Sequence, residues 1–84
     1  MNKEVNVTER MEKLRAINMV QDELKRAITM YPPFRSRHEG YAIIKEELDE
    51  LWTEIKRKPQ DEKKIEEEAV HLSAMAIRFI MDCC

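Results

Sequence analysis

Eighty-four residues, 43% hydrophobic and 38% charged with one glycine and three prolines, make one small domain of amphipathic helices and are too apolar for a disordered chain. Fifteen basic against 17 acidic residues give a net charge of −2, which excludes the basic field behind nucleic-acid binding. No apolar run reaches the roughly 20 residues of a membrane span, and the polar N-terminus lacks the apolar core of a signal peptide, so a cytoplasmic chain with no membrane partner is expected.

Residues 1–7 carry no periodic pattern and are expected to be disordered, with residues 8–84 forming a single helical domain. From Thr8, read as an N-cap, the spacing Ile17, Val20, Leu24, Ile28, Tyr31 predicts a first helix that ends before Pro32. The segment "YPPFRSRHEG" breaks it, because two prolines remove donors and push their preceding residues out of the α region. Ser36 and Glu39 fit a capping box, which starts a second helix near Arg37 and carries it to about Arg57. Its stripe is Tyr41, Ile44, Leu48, Leu51 and Ile55, a 3-4 spacing suited to packing against other helices.

Pro59 ends that helix and Asp61 caps a third, which runs to about Met81 with Ile65, Ala69, Leu72, Ala76, Phe79 and Ile80 as its apolar set and Met75 beside them. The short connection makes helices two and three antiparallel neighbours. The expected fold is therefore all-α, three helices whose bundle is completed by oligomerisation, since so short a chain leaves about 35–40% of its unfolded surface uncovered. Cys83 and Cys84 are adjacent and read as reduced thiols, because a bond between neighbours closes no useful loop.

The acids differ once set against the stripes. At about 100° per residue, Glu47 and Glu54 fall on the margin of the second helix's stripe, with Glu50 farther round and Glu46 nearly opposite. On the third helix, Glu68 lies inside the edge of the apolar arc, between the directions of Leu72 and Met75, with His71 just beyond. Carboxylates gathered at an apolar seam repel one another and lose hydration, which a divalent cation would offset. Oxygen-rich clusters with open water positions suit Mg²⁺ or Mn²⁺. The alternative is ordinary solvated faces with i,i+4 partners, such as Glu54 with Lys58, and a histidine held by hydrogen bonds. A second constellation, Arg35, Arg37 and His38, flanks the start of helix two, whose free amides favour anions; Lys45 and Lys56 are further candidates for a phosphate, or for surface ion pairs.

The pairing of "EELDE" with "EEEAVH" across a short linker resembles the MazG-like all-α nucleoside triphosphate pyrophosphohydrolases, whose pattern is E-E-x-x-E on one helix and E-x-x-D on the next. Glu46, Glu47 and Glu50 match the first motif and Glu68 the glutamate of the second, while His71 stands where the family has aspartate. The phrase "HEGYAIIKEELDELWTEIKR" is also similar to a small MazG-like group of bacteria and phages, and the likeness spans about residues 34–81. It implies a homodimer or homotetramer in which Mg²⁺ held by these acids binds a nucleoside triphosphate and activates water, releasing pyrophosphate and the monophosphate. On that reading Glu47 and Glu50 are catalytic, and Glu46, Glu47, Glu50, Glu68 and His71 surround the metal. Neutral imidazole is a poor ligand for Mg²⁺, though Mn²⁺ accepts it. Two other readings stay open: a non-catalytic relative that binds a nucleotide or another phosphorylated small molecule, and a structural oligomerisation module.

Overall fold

The computed structural model describes residues 6–84, and among them there are three helices, α1 (Asn6–Met30), α2 (Arg37–Lys56) and α3 (Glu62–Cys83). Two of the expected caps form. The Ser36 side chain accepts the Glu39 N–H at 3.0 Å, and the Asp61 carboxylate accepts those of Lys63 and Lys64 at 3.1 and 3.3 Å. Each satisfies amide donors that the first turn leaves without a partner. The other half of the capping box shifts by one residue, because Glu39 Oε1 accepts from the Arg35 N–H, at 2.8 Å, and not from Ser36. Thr8 caps nothing, since Asn6 and Val7 are already helical; residues 1–5 of the segment expected to be disordered lie outside the described residues.

α3 is the middle of a layer. α1 and α2 each pack on it, and among the described residues neither closely approaches the other. Arg15 lies beside Glu66 and Arg78 beside Ala27, so α1 runs parallel to α3; Gly40 lies against Phe79 and Arg37 reaches the Cys83 carbonyl, so α2 runs antiparallel, as the short connection requires. At Gly40 a Cβ would sit 2.6 Å from a Phe79 ring carbon and 3.0 Å from one of Phe34, so the absence of a side chain lets α2 approach this closely.

The layer does not close into a globule. Among the described residues only Ala27 and Ala74 are buried apolar side chains, and no large side chain is fully covered. The radius of gyration is 15.0 Å, against about 12 Å for a compact chain of this length. The expected stripe of α2 accordingly splits. Ile44 and Leu51 turn toward α3 with Gly40 and Glu47, while Tyr41, Leu48 and Ile55 lie about 90° round the helix with Trp52, exposed on the outer side. Ile77 and Ile80 of α3 and Ile17 and Ile28 of α1 are likewise exposed. Glu39, Glu46 and Glu50 are turned the other way, toward a cleft between α1 and α2 whose floor is α3. The layer therefore has a front cleft that gathers the acids and a back of exposed apolar side chains.

Candidate metal centre

The front cleft, about 520 Å³, is lined by Glu23 and Arg26 of α1, by Glu39, Ile43, Glu46, Glu47 and Glu50 of α2, and by Glu68, His71, Met75 and Arg78 of α3, with Tyr31, Pro32 and Phe34 at one end. Its floor follows from helical spacing, because residues 68, 71, 75 and 78 recur every three or four positions on one side of α3.

At the acidic end, one ligand atom each from Glu47, Glu68 and His71 lies within 4.8 Å of the other two. His71 Nδ1 is 3.6 Å from Glu68 Oε2 and 3.8 Å from Glu47 Oε2. Those two oxygens are buried and accept no hydrogen bond, an arrangement that costs free energy unless something fills it. The proton equilibria respond. Burial pushes the Glu47 carboxyl up to about 7, with the charge of Glu50 acting in the same direction, and burial also raises Glu68, partly opposed by His71. The donor set suits a divalent ion: two orphaned carboxylate oxygens and one imidazole nitrogen, the nitrogen 3.6 and 3.8 Å from the oxygens against the roughly 3.0 Å edge of an octahedron built on bonds of about 2.1 Å, so the three close in slightly around an ion. Glu46 and Glu50 are exposed at the rim.

Sequence reasoning missed the α1 side of this site. Glu23 Oε1 is 3.9 Å from His71 Nε2, and its carboxylate takes a two-point ion pair from Arg26 at 2.7 and 2.9 Å, which holds its pKa below the usual value. Its position among Val20, Leu24 and Ala27 was the available signal, since those residues mark the inward face of α1.

The opposite end is built around Arg78, buried at 4% exposure. Its guanidinium donates to Asp82 Oδ2 at 3.2 Å, to the Ala27 carbonyl at 3.0 Å and to the Tyr31 carbonyl at 2.7 Å, and lies 5.8 Å from the centre of the Phe34 ring. Asp82 Oδ2 also accepts the Phe34 N–H at 3.0 Å. The arginine thus takes carbonyls at the C-terminus of α1, where the helix dipole favours a cation. An arginine between Ile77 and Phe79, four residues before an aspartate, was its trace in the sequence.

The structure brings Glu47, Glu68 and His71 together with Glu50 and Glu46 beside them, and keeps the basic candidates out of the cleft. Arg35 is held by Glu39 at 3.1 and 3.2 Å, Arg37 donates to the Cys83 carbonyl at 2.9 Å, and Lys45 pairs with Asp49 at 2.9 Å. Lys56 stands 5.6 Å over the Trp52 ring, His38 is exposed, and Glu54 pairs with Arg57, not Lys58, at 3.0 Å. Cys83 and Cys84 are free thiols. No helix of the described residues is long and apolar enough to cross a membrane. Compared with known proteins, the chain matches no family model, no curated protein and no solved structure.

Proposed function

We propose that the chain is a divalent-metal-dependent nucleotide pyrophosphohydrolase that splits a nucleoside triphosphate into the monophosphate and pyrophosphate. The observation that carries this reading is the pair of buried, unpartnered oxygens, Glu47 Oε2 and Glu68 Oε2, beside His71 in a cleft. Glu47, Glu68 and His71 would hold the ion, with Glu46 and Glu50 at the rim. Bound there, Mg²⁺ or Mn²⁺ would neutralise phosphate charge and lower the pKa of water. Glu50, reachable from solvent, accepts the proton of the attacking water; the water oxygen bonds to the α-phosphorus as the bond to the bridging oxygen breaks and pyrophosphate leaves. The aromatic end of the cleft offers Tyr31 and Phe34 to the nucleoside.

Purified protein incubated with a panel of triphosphates and Mg²⁺ or Mn²⁺ tests the activity: metal-dependent pyrophosphate release that Glu47→Gln abolishes is expected. A second reading, a nucleotide binder without turnover, is favoured by His71 in the ligand set, and nucleotide affinity without pyrophosphate release would select it. In that case gained hydrolysis in His71→Asp would trace the loss of activity to this one side chain.

The working unit in this proposal is a homo-oligomer. The exposed back of the layer supports it, because Tyr41, Leu48, Trp52, Ile77 and Ile80 are exposed apolar side chains that a second copy would cover. Sedimentation of the wild type as a dimer or larger, and of Leu48→Glu as a smaller species, is the expected result.

A further inference from the structure

We propose that Glu23 is a positioning residue that fixes His71 as a nitrogen ligand, and that the centre therefore prefers a first-row transition ion to Mg²⁺. The inference rests on the metal centre proposed above and concerns which ion that centre selects.

The two nitrogens of His71 face different groups. Nδ1 looks toward Glu47 Oε2 and Glu68 Oε2, at 3.8 and 3.6 Å, and Nε2 toward Glu23 Oε1, at 3.9 Å. A neutral imidazole carries one N–H and one lone pair. A carboxylate on the Nε2 side favours the tautomer with hydrogen there, which turns the Nδ1 lone pair into the gap between the two orphaned oxygens. Glu23 is a firm anchor for this purpose, because Arg26 grips both of its oxygens, at 2.9 and 2.7 Å. The separation of 3.9 Å lies beyond hydrogen-bond range, and the approach of about 0.7 Å that closes it falls to the His71 ring, since Arg26 holds Glu23.

The result is the carboxylate–histidine–metal relay in which an outer carboxylate orients an imidazole and raises its basicity. Here the outer group comes from α1 and the ligands from α2 and α3, so all three helices meet at one point. A well-oriented nitrogen is of little use to Mg²⁺, which takes oxygen, and favours ions of the Mn²⁺ to Zn²⁺ series.

The full chain, stripped with chelator, is titrated calorimetrically with Mg²⁺ and with Co²⁺, whose visible absorption bands report the ligands. In the wild type Co²⁺ binds at least tenfold more tightly than Mg²⁺, and His71→Asp lowers that ratio. Glu23→Ala weakens Co²⁺ binding by about 10–100-fold and alters the Co²⁺ bands, as loss of an outer-shell partner does. Glu23→Gln, which keeps an acceptor oxygen, weakens it less, and a circular dichroism spectrum like that of the wild type shows that the fold persists. In the His71→Asp background Glu23→Ala has no further effect, an outcome that a merely structural role for Glu23 does not produce. Co²⁺ affinity and bands that Glu23→Ala leaves unchanged, or a Co²⁺ to Mg²⁺ ratio that His71→Asp leaves unchanged, overturn the inference while an ion still binds. Binding of neither ion by the wild type overturns the metal centre itself.

Discussion

At one end of the cleft the buried Arg78 guanidinium meets three acceptors and an aromatic ring, and at the other Glu47 Oε2 and Glu68 Oε2 meet no donor. Arg78 and Glu68 both stand on α3, about three turns apart and facing the same cleft, which Glu47 enters from α2. The difference teaches which charges hold the fold and which await a ligand. A buried ion whose three nitrogens are each hydrogen-bonded is structure, whereas neighbouring carboxylates with unused lone pairs destabilise the bare chain and gain most from a bound cation.

The two ends should therefore answer mutation with opposite signs. Arg78→Met strands the Asp82 carboxylate and the Ala27 and Tyr31 carbonyls, and a loss of about 3–5 kcal/mol in urea denaturation is expected. Unchanged stability would remove the structural half of the comparison. Gly40→Val wedges α2 away from Phe79 and Phe34 near the Arg78 end, with an expected cost of about 2 kcal/mol, read from the same curves. At the acidic end, Glu47→Gln removes a desolvated charge, so the metal-free protein should gain about 1 kcal/mol while losing affinity for divalent ions in calorimetry. A stability loss there would mean that the carboxylate supports the fold.

The smallest effect is the most specific. Glu47 has a folded pKa of about 7, above its ordinary 4.5, so the folded state binds the proton more tightly than the unfolded chain does. The penalty is complete above pH 7 and is relieved as pH falls toward 4.5, so the metal-free melting temperature should rise between pH 8 and pH 5.5. Glu47→Gln should flatten that slope, and saturating Mn²⁺ should reverse it, since protons and the ion compete for the same oxygens. Thermal melts at a series of pH values, with and without Mn²⁺, measure all three.

The local signals in the sequence were reliable where chemistry acts over a few residues. Ser36 and Asp61 cap the helices they were expected to cap, the prolines interrupt where they stand, and the one-turn spacing of Glu68 and His71 puts them side by side. Helical periodicity was a weaker guide to burial. Tyr41, Leu48 and Ile55 share a stripe with Ile44 and Leu51, yet only the latter two turn toward α3, because a stripe says that a surface is apolar and not which neighbour covers it.

By itself, then, the sequence determined an all-helical chain, its punctuation, and an acidic cluster on two helices, since each of these depends on neighbours within a turn or two. The tertiary structure decided the rest: that α3 lies between the other two helices, that Arg78 ties the end of α1 to Asp82, that Glu23 reaches His71, and that the basic residues beside α2 pair elsewhere. Those pairs stand 46 to 51 residues apart or turn on which partner an exposed side chain finds first. No local rule specifies the distant ones, because they form only when the packing of helices brings groups 46 to 51 residues apart within a few ångströms; Arg78–Asp82 and Arg35–Glu39, four residues apart, are local pairs.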